Sequence, residues 1–155
     1  MKIMFVCHGN ICRSPMAEFI MKKLLAEAGL SDKISVFSAA TSSEEICCDI
    51  GNPMYPPAVR ELSKNGIPFT ERRAVQLKEQ DAEAYDLFVG MDSANFRNMN
   101  RILGASASGK IKKLMDFTPR GGDVADPWYT DRFDIAYKDI LEGCRGLLKE
   151  LKTKL

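Results

Sequence analysis

Cys7 and Arg13 stand with five residues between them in Val6-Cys7-His8-Gly9-Asn10-Ile11-Cys12-Arg13-Ser14-Pro15, a stretch of small and turn-forming residues. A thiol and a guanidinium at this spacing can close around a tetrahedral oxyanion, with the backbone amides between them aimed at it. A phosphate ester is attacked well only by an ionised nucleophile, and an ordinary thiol, with a pKa of about 8.5, is mostly protonated at neutral pH. Loop amides, the positive end of a following helix and Arg13 itself all favour a thiolate at Cys7. The planar fork of Arg13 can bind two phosphoryl oxygens at once and follow their charge into the transition state; a lysine brings charge without that geometry. His8, Gly9, Asn10, Ile11, Cys12, Arg13 and Ser14 are the expected phosphate-binding residues. Gly9 is expected to take a backbone conformation closed to other residues and to let the amides approach the anion. The Ser14 hydroxyl can donate to the thiolate, and Asn10 can brace the loop by hydrogen bonds. His8, the only histidine, has the chemistry of a general base, but a loop whose amides point inward throws its side chains outward, which places His8 at the rim.

Departure of the leaving group needs an acid, and there is no second histidine to supply it. Val124-Ala125-Asp126-Pro127-Trp128-Tyr129 offers one. Pro127 fixes the backbone beside Asp126, two aromatics follow, and the segment is too polar and turn-rich to be core. Taken alone, Asp-Pro-Trp-Tyr reads as a turn approaching a helix. Beside a cysteine phosphate loop it reads as an acid with an aromatic pocket wall, because a carboxyl among rings and near a dianion can carry a proton at neutral pH.

These groups need elements to hold them. Lys2-Ile3-Met4-Phe5-Val6 is a short apolar run suited to a buried strand ending at the loop. Ser14 as N-cap and Pro15 at the first helical position predict a helix through Met16 to Ala28, with Met16, Phe19, Ile20 and Leu24 on one face. The loop then feeds a helix N-terminus, where free amides and the dipole favour an anion. Further strands are expected over Lys33 to Ser38, Asp86 to Met91 and Lys110 to Met115, and helices near 56–65, 93–102 and 131–152. The last carries an apolar stripe of Ile135, Ile140, Leu141, Leu147, Leu148 and Leu151. Alternating strands and helices predict an α/β fold with a parallel sheet covered by helices. Ligands of such sheets bind beyond the C-terminal ends of the strands, where Cys7 to Arg13 falls.

With 155 residues and 45% hydrophobic content, the chain can bury the core of one domain spanning 1–155 without crosslinks. Its 22 basic and 21 acidic residues leave a net charge of +1, which provides no broad field for nucleic acid or a membrane surface. No apolar stretch approaches the ~18 residues of a membrane span, and the N-terminus runs straight into the motif, so a cytoplasmic location is expected. In that reducing compartment Cys7, Cys12, Cys47, Cys48 and Cys144 are expected as free thiols.

Val6 to Pro15 resembles the signature of the low-molecular-weight protein tyrosine phosphatases, V-C-x-G-N-x-C-R-S-P, and Asp126 to Tyr129 resembles that family's acid loop. Ser38 to Ser42, Ile50 to Pro53, Asn65 to Pro68 and Met91 to Asn95 fall in the family's order as well, so the likeness spans nearly the whole chain. It implies a three-layer α/β fold, a four-stranded parallel sheet with helices on both faces, and no metal or other cofactor. It also implies hydrolysis of phosphotyrosine, or another aryl phosphate monoester, through a cysteinyl-phosphate intermediate. By the resemblance, Cys7 is the nucleophile, Arg13 the phosphate clamp and Asp126 the acid that later activates water. Asn10, Ser14 and Ser38 match the family's loop support. Cys12 matches its second thiol, which captures oxidised Cys7 as a reversible disulfide. The implied partners are a phosphotyrosine-containing protein or small aryl phosphate, and inorganic phosphate or another oxyanion.

Several positions depart from the pattern. Arg72 and Val75, in Thr70 to Gln76, stand where the family usually has histidine and arginine, and that histidine helps to brace the phosphate loop. Tyr55 stands where an aspartate is common. The segment between Thr41 and Gly51 is longer by a few residues, Ser43 to Asp49, and lacks the aromatic that usually rims the pocket. Adjacent Cys47 and Cys48 suit neither a CxxC redox pair nor a zinc site. A thiol-linked arsenate reductase would share the loop but needs a pair of spaced relay cysteines that is missing. The arginine phosphatase branch carries threonine where Ile11 stands, and isoleucine presents an apolar wall suited to a phenyl ring, with Trp128 and Tyr129 completing the expected pocket. A silent phosphotyrosine-binding module would be expected to have lost the nucleophile or the acid, and both Cys7 and Asp126 are present.

Overall fold

A computed structural model describes residues 1–155. In chain order the elements are Lys2–Cys7 (β1), Arg13–Glu27 (α1), Ser35–Ala40 (β2), Ile46–Cys47 (β3), Ile50–Gly51 (β4), Pro56–Lys64 (α2), Asp81–Ala84 (α3), Leu87–Gly90 (β5), Ser93–Leu103 (α4), Ile111–Lys113 (β6), Pro127–Thr130 (α5) and Phe133–Lys154 (α6), with short 3-10 turns at Ala105–Ala107 and Leu114–Phe117. Ile3, Phe5 and Cys7 of β1 enter one core while Met4 and Val6 enter another. A strand apolar on both faces belongs in the middle of a covered sheet. β1 lies there, in an all-parallel sheet of order β2-β1-β5-β6. α1, α2 and α6 cover one face, and α3 and α4 the other. This is the expected three-layer α/β arrangement. Because the chain leaves β1 toward β2 and later returns to its other side as β5, the loop after β1 opens where the strand order reverses, the place where such sheets bind ligands.

Some local expectations are corrected. α1 starts at Arg13, two residues earlier than a Ser14 cap would set it, and its N-cap residue Cys12 provides no side-chain bond; the Ser14 hydroxyl is turned instead toward Cys7 and Asn10. The stretch 131–152 is not one helix from its start: Asp131 adopts a left-handed φ of 58°, which ends the single turn α5 before α6 begins at Phe133. Ile135 is 40% exposed and lies off the buried stripe, which runs through Phe133, Ala136, Tyr137, Ile140, Cys144, Leu147 and Leu151. Only Ile111–Lys113 of 110–115 is strand. Lys110 instead donates to the carbonyls of Ala82 and Tyr85. Leu114–Phe117 turns away to pack on α6, where a Cβ at Gly143 or Gly146 would strike Leu114 or the Phe117 carbonyl. The longer segment 43–49 carries β3 and leads into β4, the two forming an antiparallel hairpin whose turn residues Cys48 and Asp49 both have positive φ, as a tight two-residue hairpin turn requires.

Candidate active site

β1 ends on Cys7 and α1 begins on Arg13, so the seven residues from thiol to guanidinium wrap the C-terminal edge of the sheet. The Cys7 sulfur receives the N–H groups of Asn10 at 3.3 Å and Ser14 at 3.5 Å, and lies 3.0 Å from the Ser14 hydroxyl. That hydroxyl oxygen accepts from the Asn10 side-chain amide at 2.8 Å, which leaves its own proton to point at the sulfur. Three donors around one sulfur complement a thiolate. The expectation for Gly9 is corrected here: the residue with left-handed backbone is Asn10, at φ 58°. Asparagine tolerates that region because its short polar side chain bonds locally, and this one is fully buried with its amide and carbonyl both engaged.

Arg13 is almost fully buried and held in plane. One terminal nitrogen donates at 2.8 Å both to Asp92 and to the Val124 carbonyl; the other faces Asp126 at 3.4 Å. Burial alone would lower its pKa, but the charges of Cys7, Asp126 and Asp92 outweigh that and push it up, so it is a permanent cation. Asp92 is placed by a capping box at the start of α4, its Oδ1 accepting the Asn95 N–H while Oδ2 takes Arg13. Asp126 works in the same divided way: Oδ1 accepts the Trp128 N–H as the cap of α5, and Oδ2 turns to Arg13. The turn approaching a helix and the carboxyl at the site are thus one group.

Above the loop is a cavity of about 290 Å³ lined by Cys7, His8, Gly9, Ile11, Cys12 and Arg13 on its floor and by Asp126, Trp128 and Tyr129 along one wall. Trp128 leans on Tyr55 with ring centres 5.1 Å apart, and Tyr55 on Phe133 at 6.0 Å, so Tyr55 buttresses the aromatic wall. The facing wall is Glu44 and Glu45. His8 lies at the rim, half exposed and 3.0 Å from Glu44, while Glu45 is held by the Asn52 amide at 2.7 Å. A larger hollow of about 530 Å³ lies behind the loop, lined by Met54, Phe69, Arg72 and Arg73 among others, and reaches none of Cys7, Arg13 or Asp126. Cys12 is buried, and burial, followed by the neighbouring charge of Cys7, pushes its thiol up to about 12. Cys47 and Cys48 are exposed at the hairpin, their sulfurs 3.5 Å apart.

The sequence profile of the family described as low molecular weight phosphotyrosine protein phosphatase matches residues 2–155. The chain belongs to that family. It is therefore a phosphoric monoester hydrolase of the protein tyrosine phosphatase class, whose substrates are phosphoproteins or aryl phosphates. The low molecular weight protein-tyrosine-phosphatase YfkJ of Bacillus subtilis is 36% identical over 154 residues, covering 98% of this chain and 96% of YfkJ; its crystal structure superposes with a TM-score of 0.92 over 99% of this chain and 96% of that one. PtpA of Staphylococcus aureus is 35% identical over 147 residues, 94% of this chain and 90% of its own. Wzb of Vibrio vulnificus, solved in complex with benzylphosphonate, matches with a TM-score of 0.82 at 28% identity, covering 96% of this chain and 97% of that one.

In this phosphatase the loop support differs from the expectation. The Ser38 hydroxyl is not bonded to the loop; it donates to Glu18 at 2.6 Å. Glu18, buried on α1, also takes Lys22 at 2.6 Å and faces the Arg72 Nε at 3.7 Å. Arg72 then donates to both the carbonyl oxygen of Asn10, at 3.0 Å, and its side-chain oxygen, at 2.7 Å. Backbone bridges from Pro53 to Arg73 and from Ala40 to Gln76 hold the Arg72 segment against the hairpin and β2. Sequence reasoning missed Asp92 and Glu18, whereas the longer 43–49 segment, expected at the pocket rim, supplies Glu44 and Glu45 there. Asp92 had a signal in the Asp-x-x-Asn capping pattern. A single acid on a helix has none, because only the fold shows what it faces.

Proposed function

We propose that this phosphatase cleaves phosphotyrosine by two displacements at one cradle, with Cys7 as nucleophile, Arg13 as clamp and Asp126 as acid and then base. The observation that carries this reading is the Arg13 guanidinium, which shares one cavity with Cys7, within reach of its charge, and lies 3.4 Å from Asp126. A phosphoryl group seated on that guanidinium has the sulfur on one side and the carboxyl on the leaving-group side. The Cys7 thiolate attacks phosphorus, the P–O bond to the ring breaks, and the phenolic oxygen takes the Asp126 proton. Water then attacks the phosphocysteine, giving its proton to the Asp126 carboxylate, and Cys7 leaves as thiolate. His8, Gly9, Asn10, Ile11, Cys12 and Ser14 supply the phosphate-binding loop, and the charge that builds on the phosphoryl oxygens is met by fixed donors. Ile11, Trp128 and Tyr129 line the cavity that would receive the ring of an aryl phosphate, and the binding of benzylphosphonate by the Vibrio relative supports an aromatic substrate.

Under peroxide, Cys7 oxidised to a sulfenic acid is attacked by the Cys12 sulfur, forming a disulfide and releasing water. Oxidation removes the Cys7 charge that helps to keep the Cys12 thiol protonated. All five cysteines are free, which supports a single domain working in the reducing cytoplasm. No helix is long and apolar enough to cross a membrane.

The test is hydrolysis of p-nitrophenyl phosphate, phenyl phosphate and a phosphotyrosine peptide. Cys7→Ser is expected to lose more than about 1,000-fold in kcat; a wild type no faster than Cys7→Ser would leave only a phosphotyrosine-binding module. Asp126→Ala is expected to cost much more with phenyl phosphate than with the nitrophenyl ester, whose phenolate leaves unaided. Equal losses would remove Asp126 from the acid's role.

A further inference from the structure

We infer that Arg72 is a positioning residue of this phosphatase: its guanidinium, faced by Glu18, locks Asn10 in the turn of the phosphate loop and adds a second, partly buried cation near Cys7. The inference rests on the reading of Cys7 as nucleophile and adds a residue to its machinery that stands outside the loop.

The connection is continuous. Arg72 bonds both oxygens of Asn10, the Asn10 amide bonds the Ser14 hydroxyl, and that hydroxyl meets the Cys7 sulfur. Holding the Asn10 carbonyl has a second effect. In a trans peptide C=O and N–H point oppositely, so a carbonyl drawn outward to Arg72 turns the N–H of Ile11 inward, toward the anion. The left-handed backbone of Asn10 is unfavourable for a side-chain-bearing residue unless its surroundings determine it. Arg72 and the Val75 N–H, both on the Asn10 side-chain oxygen, do so.

Charge adds to position. Lys22, Glu18 and Arg72 form a buried or half-buried trio with one excess positive charge. Arg72 lies within electrostatic reach of Cys7: burial lowers its pKa, and the charges of Glu18 and Cys7 oppose that. A lysine could carry the charge but not serve three acceptors in one plane. Arg101, exposed on α4 and bonded to the Asn98 side chain, makes a control of equal charge away from the site.

The experiment compares wild type, Arg72→Met, Arg72→Lys and Arg101→Met in two assays: turnover of p-nitrophenyl phosphate and of a phosphotyrosine peptide, and the rate at which iodoacetamide alkylates Cys7 at neutral pH, read on the Cys7 peptide by mass spectrometry. Arg72→Met is expected to lose about 10- to 100-fold in kcat with KM changed far less, since a misplaced loop costs at that scale, and to alkylate several-fold more slowly. Arg72→Lys is expected to recover alkylation but not kcat, and Arg101→Met to stay within about twofold in both. The inference is overturned if folded Arg72→Met is within twofold of wild type in both assays, or if Arg101→Met loses as much. Should Arg72→Met fail to fold, Arg72→Lys decides, and full kcat there shows that the fork is not needed. A wild type that turns over neither substrate sinks the mechanism above, while the alkylation rates still report on the brace.

Discussion

Asn10 and Gly9 sit side by side in the loop, yet the structure divides their work in a way residue type alone would reverse. Asn10 takes the left-handed backbone and Gly9 does not. At Gly9 an added Cβ meets only the Cγ of Glu45, at 3.2 Å, and the side chain of Ile11. Gly9→Ala is therefore expected to cost under about 1 kcal/mol, with the Glu45 side chain shifting to make room. Asn10→Ala places a Cβ residue in a left-handed turn without local bonds and strips partners from Arg72, the Val75 N–H and Ser14, so a loss of about 2 to 4 kcal/mol is expected. Urea unfolding of the two variants checks the order, and a reversed order would return the hinge to glycine. The loop chemistry was legible because its residues are contiguous. Arg72 could be recognised as a departure but not as a brace, because its function depends on Asn10, which is sixty-two positions earlier and reached only through the fold.

The β3–β4 hairpin is the element that the sequence hid. Each strand is two residues long, too short for alternation to register, and the pairing is stabilised by outside contacts: Asn52 to Glu45 and Arg73 to the Gly51 carbonyl. Its place is consequential, because Glu44 and Glu45 form the wall facing Trp128 and Tyr129. Two carboxylates at the mouth repel acidic residues flanking a phosphotyrosine and favour basic ones. Glu44→Gln with Glu45→Gln is expected to raise kcat/KM for an acidic-flanked phosphopeptide by about 3- to 10-fold relative to a neutral one, and added salt should shrink the difference as screening grows. An unchanged ratio between the two peptides would mean that the hairpin does not read substrate charge. Where strands and helices were long and periodic, as in β1, α2 and α4, element type and position followed from pattern. The later start of the last helix did not, since the left-handed Asp131 that ends α5 before α6 begins at Phe133 leaves no mark in the apolar pattern.

At the scale of the whole molecule, the proton balance predicts where stability fails. Burial raises the thiol pKa of Cys12, to about 12 from an ordinary 9.0, and also that of Cys144; burial likewise raises the phenols of Tyr85 and Tyr137. Each of these groups keeps its proton in the folded state at a pH where the unfolded chain releases it, so stability is fully present below about pH 9 and falls as pH rises from there through the folded values. The slope is up to about 1.4 kcal/mol per pH unit for a fully buried thiol, and smaller for the partly exposed Tyr85. Melting temperatures measured from pH 8 to 10.5 are expected to decline, and Cys144→Ala, though less stable at pH 8, to show a flatter decline; an identical slope would remove Cys144 from the balance. The sequence by itself determined the chemistry and the fold class, because a nucleophile, a clamp and a helix start within ten residues, together with alternating strands and helices, are local patterns that local physics can interpret. Only the tertiary structure decided that Asp126 and Asp92 converge on Arg13, that Glu18 and Arg72 hold the loop from behind, and that an acidic hairpin faces an aromatic wall. Those contacts join residues far apart in the chain, and burial sets both their geometry and their electrostatic strength.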